Sequence, residues 1–459
     1  MKKLLLTIVL ISLISFTNAQ FTKLHDFANI PDGAYVEGDL IFDSTFLYGM
    51  TYFGGINDMG TIFKIKPDGS NYLKLIDFAG ITNGKYPHGS LISDGSFLYG
   101  ITEQGGSSNN GTVFKIKKDG STYAKLLDFA GPTNGRGPEG SLISDSSYLY
   151  GMTSVGGAYD SGTVFKIKKD GSVYAKLLDF AGPTNGSRPE GSLFFDGNFL
   201  YGTTQLGGIN DGGTVFKIMP DGSGYTNLYN FTGATNGNEP IGSLISDGIF
   251  LYGTTSGGGT NNGGTIFKIK PDGSCYVKLF DFVGASNGYY PMGSLITDST
   301  FLYGMTYMGG ANNDGTVFEI RPDGSGYIKL LDFAGAATGS WARGSLISDN
   351  NFLYGMTWQG GIYGYGVVFK LGIKLYTEII DVNENIGIAV YPDPATNYIT
   401  IESPQKSEIK ISNIEGQIMK TICNNDNTTM VDLKDLSSGV YIVTVKTDKE
   451  IVTKKIIKE

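Results

Sequence analysis

A hexapeptide of the form Phe-Leu-Tyr-Gly-Met-Thr recurs along this 459-residue chain at one fixed interval. Each copy of its tyrosine stands 51 residues after the previous one, with no insertion or deletion. The copies are Tyr48, Tyr99, Tyr150, Tyr201, Tyr252, Tyr303 and Tyr354. A period near fifty that contains short, turn-punctuated segments is typical of a β-propeller, in which each repeat forms one blade. The spacing therefore predicts an all-β fold, a seven-bladed β-propeller with 51-residue blades.

Each repeat contains four extended segments, which we label A to D. In the second copy they are residues 89–94, 97–102, 111–116 and 123–129. Segments B and C carry the β-branched and aromatic residues that favour strands. The Ser-Asp-Gly, Lys-Asp-Gly and Pro-Asp-Gly sequences between segments predict tight turns. We interpret their aspartates as turn residues rather than metal ligands, because no Asp-x-Asp-x-Asp spacing accompanies them.

The copies begin and end out of phase. Residues 23–27, Lys-Leu-His-Asp-Phe, form a D segment, whereas the last repeat feature, residues 366–371, is a C segment. The sequence therefore predicts that the N-terminal strand completes the seventh blade and removes two unpaired sheet edges. His25 lies in this strand where the other copies have aliphatic or aromatic residues, so we interpret it as a packing residue.

The order of strand, turn, LYG, Gly-Gly, loop, strand, turn and KL resembles that of kelch-type propellers. The motif GGxxxxGTVFKIxPDGS followed by KLxDF resembles the tandem repeat called GloVer, or Gloeo_Verruco, over residues 21–371. The resemblance implies a secreted propeller, with segment A innermost and segment D outermost if the kelch order holds. One glycine of segment A, Gly38 in the first copy and Gly344 in the last, then lies where inner strands need room near the axis.

The first nineteen residues have the features of an export signal. Lys2 and Lys3 precede an apolar run over residues 4–16, and Thr-Asn-Ala then precedes Gln20. We expect cleavage after Ala19. The apolar run is too short to span a bilayer well, and we predict no transmembrane segment after cleavage.

Residues 387–459 follow a predicted linker, residues 372–386, and a propeller over residues 20–371. Alternating strands in this tail predict a small β-sandwich. Its motifs VYPDPAT, ISNIEG and LSSGVY resemble the type A C-terminal sorting domain of the type IX secretion system, with Asp393 where that family usually has Asn. The resemblance implies a Bacteroidota host, export through the periplasm to the outer surface or medium, and the secretion machinery as partner.

Composition narrows the function classes. The net charge of −9 argues against nucleic acid or anionic membranes as partners. The chain has only two histidines, His25 and His88, in different repeat columns, which excludes histidine triads and multi-histidine metal sites. Two cysteines, Cys275 and Cys423, give no disulfide framework. We predict no cofactor and no metal, and we favour a protein that is not an enzyme.

A polar column precedes the recurring glycine of segment A and is expected at one mouth of the central channel. Its members are Glu37, His88, Glu139, Glu190, Ile241, Met292 and Arg343. We interpret Glu37, His88, Glu139, Glu190 and Arg343 as a solvated polar rim. Alternatively, the three carboxylates could perform acid and base chemistry.

Aromatic residues are concentrated in two other columns, on loops that strand alternation places on the same face. They belong to blades 6, 7, 1 and 2, which are neighbours in a closed ring. The residues are Tyr35, Tyr52, Tyr86, Tyr290, Tyr307, Trp341 and Trp358, joined by Tyr363 and Tyr365. Exposed tyrosine and tryptophan rings stack on sugars and anchor protein partners. The alternative is that they pack the seam where the ring closes.

These features predict a secreted or cell-surface binding module, with a glycan or cell-envelope polymer ahead of a protein as its ligand. A structural or adhesive surface protein that binds other proteins is the alternative. A third possibility is a glycan hydrolase or lyase that works through Glu37, Glu139 or Glu190.

Overall fold

The structure, a computed structural model, describes residues 20–349, 351–373, 388–403, 407–413, 416–424, 426–447 and 451–459. All regular elements in these ranges are strands, so the predicted all-β class is confirmed. The chain forms two compact units that divide between Leu375 and Tyr376. The predicted export signal and most of the predicted linker lie outside the described residues. Gly372, predicted to begin the linker, still belongs to a strand.

In the first unit, strands from Phe21 to Gly372 form seven four-stranded antiparallel sheets. The seventh sheet contains β1 (Phe21–Asp26). The first to third sheets are β2 (Ile41–Phe42), β3 (Leu47–Thr51), β4 (Thr61–Ile65), β5 (Leu73–Asp77); β6 (Lys85–Ser93), β7 (Phe97–Gln104), β8 (Thr112–Lys117), β9 (Ala124–Asp128); and β10 (Ile143–Ser144), β11 (Tyr148–Thr153), β12 (Thr163–Lys168), β13 (Tyr174–Asp179).

The fourth to sixth sheets repeat the same pattern. They are β14 (Phe194–Phe195), β15 (Leu200–Thr204), β16 (Thr214–Ile218), β17 (Thr226–Asn230); β18 (Ile245–Ser246), β19 (Leu251–Thr255), β20 (Thr265–Ile269), β21 (Val277–Asp281); and β22 (Ile296–Thr297), β23 (Leu302–Thr306), β24 (Thr316–Ile320), β25 (Ile328–Asp332). The seventh adds β26 (Ile347–Ser348), β27 (Phe352–Thr357) and β28 (Val367–Gly372) to β1.

The hydrophobic core of this unit lies between successive sheets. Tyr48 and Met50 of the first sheet pack with Leu98 and Phe114 of the second, for example. Strand β3 is buried at every residue because both of its faces contact a neighbouring layer. The recurring LYG and TVFKI segments are therefore apolar on both faces, which is why alternation is weak in them.

The N-terminal strand pairs with the last strand of the repeats, as predicted. In the antiparallel register of β1 and β28, Phe21 lies opposite Leu371 and Asp26 opposite Val367. Phe27, just after β1, is fully buried. His25 stacks on Tyr72 with ring centroids 4.0 Å apart, which confirms its packing role.

The innermost segments converge on a central channel and are joined by a belt of hydrogen bonds. At six of the seven steps from one sheet to the next, the backbone N–H of Asp39 or of the equivalent serine donates to the serine Oγ 51 residues later, at 2.7–2.9 Å. The acceptors are Ser90, Ser141, Ser192, Ser243, Ser294 and Ser345. At the remaining step, between the seventh and first sheets, Ser345 N–H donates to the Asp39 carboxylate. A Cβ on Gly38 would lie 1.8 Å from Gly89 O, so glycine is required where these backbones meet.

The aspartates of the tight turns have the structural role predicted for them. Asp68 Oδ1, for example, accepts a hydrogen bond from Ser70 N–H at 2.9 Å, which closes the turn between β4 and β5. Equivalent bonds of 2.7–2.8 Å occur at Asp119, Asp170, Asp221, Asp272 and Asp323.

The second unit is a two-sheet sandwich, as predicted. One sheet contains β29 (Ala389–Tyr391), β30 (Tyr398–Glu402) and β33 (Thr428–Asp432). The other contains β31 (Ser407–Asn413), β32 (Ile418–Asn424), β34 (Gly439–Lys446) and β35 (Ile451–Lys458). Ile399 and Ile401 of one sheet share a core with Ile409 and Val443 of the other. Asp393 Oδ1 accepts a hydrogen bond from Ile457 N–H at 2.8 Å.

Candidate functional site

Two loops of each repeat lie side by side on one face of the first unit. The loop from segment D to A carries Tyr35 in the first repeat, and the loop from B to C carries Tyr52. Tyr52 N–H donates to Tyr35 O at 2.8 Å, and Trp358 N–H donates to Trp341 O at 3.3 Å in the seventh repeat. This backbone pairing places the two aromatic columns next to each other around the channel.

The D-to-A column adopts the left-handed backbone conformation at each of its seven positions. The φ angles are 57° at Tyr35 and Tyr86, 59° at Gly137, 52° at Arg188, 56° at Glu239, 55° at Tyr290 and 60° at Trp341. A non-glycine residue in this region is disfavoured by about 1 to 2 kcal/mol. Gly137 shows that glycine fits this backbone position. The large side chains at the other positions therefore contribute something that offsets the strain.

The rings of the seventh, first and second sheets contact one another. Trp358 has its ring centroid 5.0 Å from Tyr35 and 6.1 Å from Tyr52. Tyr52 stacks on Tyr86 at 5.2 Å, and its hydroxyl donates a hydrogen bond to Glu103 Oε2. These four rings are half-buried, so part of each remains accessible.

Arg343 joins this group to two further rings. Its guanidinium lies 4.2 Å from the Trp358 ring centroid and 5.3 Å from that of Tyr307, within the range of cation–π attraction. Tyr307 in turn lies 5.9 Å from Trp341. We call Tyr35, Tyr52, Tyr86, Tyr307, Trp341 and Trp358 the aromatic arc.

The other predicted aromatic residues occupy different positions. Tyr365 packs edge-on against Tyr35 at 5.6 Å and supports the arc from outside. Tyr290 pairs with Tyr289 at 5.6 Å. Tyr363 is 59% exposed in the loop before β28 and takes part in none of these ring contacts. Tyr363 and Tyr365 lie two residues apart in the same loop, so nothing in the sequence indicated that only Tyr365 contacts the arc.

Sequence reasoning missed Phe53. Its ring lies 4.7 Å from Tyr52, 4.9 Å from Tyr86 and 5.9 Å from Tyr35, so it fills the space between three members of the arc. It directly follows Tyr52, and the equivalent residues in the other repeats are not aromatic. That contrast was the available signal.

The polar column lines a cavity of about 70 Å³ at the channel mouth, together with the recurring glycines and the belt residues. Glu37 lies between two cations: Arg343 Nη1 is 2.7 Å from its Oε1, and His88 Nε2 pairs with its Oε2. Although burial opposes it, these two charges hold the pKa of Glu37 below its ordinary value. Burial lowers the pKa of His88, but Glu37 and Glu139 more than compensate and raise it to about 10.

Glu139 and Glu190 are in a different electrostatic situation. Burial raises the pKa of both carboxyls above the ordinary value, and each also responds to nearby carboxylates. Arg188 Nη2 lies 3.5 Å from Glu190 Oε1 but does not cancel the effect. One side of the mouth therefore holds fixed charges beneath the aromatic arc, and the other holds carboxyls that retain protons to higher pH.

No set of three histidine, cysteine or carboxylate side chains in the described ranges is placed to bind a metal ion. Among those same residues, no helix is long and apolar enough to cross a membrane.

Comparison with known protein families identifies the family to which the chain belongs. The model of the Gloeobacter/Verrucomicrobia repeat matches residues 11–147, 93–250 and 245–387. The chain belongs to the Gloeobacter/Verrucomicrobia repeat family. A secretion system C-terminal sorting domain matches residues 389–459, so the protein carries a type IX sorting tail and is exported to the cell surface or the extracellular space. The predicted resemblances to the GloVer repeat and to the C-terminal sorting domain are confirmed.

Solved structures similar to this chain are propeller-like. The extracellular domain of BT4673 from B. thetaiotaomicron is 12% identical, with a TM-score of 0.51, over 97% of this chain and 59% of the other. PorZ, a surface component of the type IX secretion system of Porphyromonas gingivalis, is 14% identical, with a TM-score of 0.43, over 93% of this chain and 60% of the other. The chain thus spans about three fifths of these structures, and such identities show the fold alone. No curated protein matches the sequence.

Proposed function

We propose that this exported protein binds a glycan or cell-envelope polymer through the aromatic arc. The observation that carries the proposal is the gathering of six half-buried tyrosine and tryptophan rings on one side of the channel mouth. Such rings offer large apolar contact area together with a polar edge, and they lose little conformational entropy on binding.

The backbone supports a role for these side chains. Tyr35, Tyr86 and Trp341 occupy left-handed positions, which are unfavourable for bulky side chains. Strained residues of this kind cluster at ligand sites, where the surrounding structure holds them in place. Gly137, Arg188 and Glu239 occupy the equivalent positions of the third to fifth repeats with the same backbone conformation, so the backbone itself does not require an aromatic side chain there.

Polar groups of both kinds lie beside the rings. The Arg343 guanidinium supplies donors, and the carboxylates of Glu37 and Glu103 supply acceptors, whereas both ring nitrogens of His88 are already bonded to Glu37 and to Glu139 O. Sugar hydroxyls both donate and accept hydrogen bonds, so this mixture suits a carbohydrate. A few convergent polar groups around an apolar surface are the usual composition of a ligand site.

A glycan array probed with the secreted full-length chain tests the proposal, followed by calorimetric titration of the polymers it retains. Trp358→Ala is expected to weaken binding by about tenfold or more, as for an aromatic hot spot. Tyr159→Ala is the matched control, because Tyr159 is 66% exposed on the third repeat and lies outside the arc. Equal effects of the two variants, or no retained glycan, would overturn the proposal.

A second candidate, glycan cleavage, rests on Glu139 and Glu190. Their raised pKa values suit a proton donor, and both line the channel mouth, on the side away from the arc. Release of reducing ends from a retained polymer, abolished in Glu190→Gln with binding intact, would establish it. Stable binding without any change in the polymer would exclude it.

A further inference from the structure

Five rings of the aromatic arc are linked in one continuous row of contacts, and the sixth, Tyr35, packs beside Trp358 at 5.0 Å. Tyr86 contacts Tyr52 at 5.2 Å, and Tyr52 contacts Trp358 at 6.1 Å. Arg343 continues the row from Trp358 to Tyr307, and Tyr307 contacts Trp341 at 5.9 Å. The row passes from the second repeat through the first and seventh to Tyr307 in the sixth, and its last ring, Trp341, belongs to the seventh, so it curves around one side of the channel.

The cavity below the row does not admit a sugar ring. Its volume of about 70 Å³ corresponds to only a few water molecules. Its walls are backbone glycines and the serine belt, which are held by neighbouring sheets. Neither Trp358 nor Tyr52 lines this cavity, so a sugar unit stacked on either ring stays outside it, and its neighbours in a chain continue along the row instead of entering the channel.

Successive groups in the row are also tilted relative to one another. The interplanar angle is 21° between Tyr52 and Tyr86, 49° between Tyr52 and Trp358, and 37° between Tyr307 and Trp341. The rings of the row therefore do not share one plane, so the row offers a single extended chain a series of separate contacts rather than one flat surface.

We infer that the row binds an internal stretch of one glycan chain, with about one sugar unit on each of the five rings, and not a chain end or an isolated sugar. The inference rests on the proposed function and specifies the form of its ligand. Each unit added along the row brings another aromatic contact, so affinity grows with chain length until the row is full and then stays constant.

The test is a titration of the full-length chain with cello-, laminari-, manno- and chito-oligosaccharides of one to eight units and with the parent polymers. The expected result is a several-fold gain in affinity with each unit up to about five, then a plateau, with no effect of capping the reducing end. Full affinity for a disaccharide, or loss of binding on capping, overturns the inference while the proposed function stands. No binding to any oligosaccharide or polymer overturns both.

Two variants add a check at the level of residues. Tyr86→Ala removes one end of the row, so it should lower affinity for five-unit and longer chains severalfold, leave disaccharides nearly unchanged and shorten the plateau by one unit. Trp358→Ala removes the centre and should lower affinity at every length. Tyr159→Ala should match the wild type throughout. An equal loss at every length for Tyr86→Ala contradicts the row.

Discussion

Closure of the repeats by the N-terminal strand predicts a specific cost for Phe27→Ala. Phe27 is fully buried, its N–H donates to Gly366 O at 3.1 Å, and its ring lies 5.3 Å from Phe63 of the first sheet. Phe180 has the same environment in the third repeat: it is fully buried, donates to Gly162 O at 2.9 Å and lies 5.3 Å from Phe216. Truncation of a buried phenylalanine costs about 3 to 5 kcal/mol.

If β1 is an integral strand of the seventh sheet, Phe27→Ala and Phe180→Ala therefore lower the free energy of unfolding by the same amount. Both tryptophans of the chain, Trp341 and Trp358, lie in the repeats, so urea denaturation followed by tryptophan fluorescence reports this unit and not the tail. A loss of about 3 to 5 kcal/mol in Phe180→Ala with no loss in Phe27→Ala would refute closure by β1. Deletion of residues 20–30 should likewise lower the melting temperature sharply.

Three further predictions follow from other features. Burial raises the pKa of Asp39 above its ordinary 3.8, so the folded chain binds more protons than the unfolded chain and stability falls as the pH rises. Asp39→Ser should melt higher than wild type at pH 7 and equally below pH 3.8; a constant difference would contradict this sign. Mass spectrometry of the surface or medium fraction should find a chain that begins at Gln20 and lacks most of residues 387–459, and an intact tail outside the cell would count against processing. Trp341→Ala should weaken glycan binding with little change in melting, whereas a loss of about 3 to 5 kcal/mol of stability would show that the ring packs the seam.

Most of the fold of the first unit could be predicted because the same sequence pattern recurs in all seven repeats. The 51-residue interval defines the strands, and the phase of residues 23–27 against 366–371 predicts the pairing of β1 with β28. The recurring glycine of segment A is required because any larger residue would clash: a Cβ on Gly38 would lie only 1.8 Å from Gly89 O. Such features depend on local pattern and on symmetry, and both are visible in a sequence.

For the site, the sequence predicted which repeat positions carry aromatic residues but not which of these residues contact one another. Membership of Tyr35, Tyr52 and Trp358 in two columns follows from register, but their mutual contacts depend on the radius at which the sheets meet. The position of Arg343 over Trp358 and Tyr307 depends on a side-chain rotamer and on its ion pair with Glu37. Asp39 is visible as an exception among serines, yet its hydrogen bond to Ser345 exists only because the last inner segment meets the first.

The pKa shifts of the side chains at the channel mouth could not be predicted from the sequence either. Glu37 and Glu139 occupy equivalent positions two repeats apart, yet the pKa is lowered for Glu37 and raised for Glu139. The difference arises because His88 and Arg343 both contact Glu37. Identical residue types in one column thus acquire different properties from their neighbours in adjacent repeats.

Tryptophan fluorescence tests the central claim most directly, because the two tryptophans of the chain, Trp341 and Trp358, are both members of the aromatic arc. A glycan that binds at the arc is predicted to shift their emission and to protect them from acrylamide quenching, with the same midpoint as the calorimetric titration. A glycan that binds by calorimetry but leaves tryptophan emission and quenching unchanged would show that it binds elsewhere, and would contradict the account.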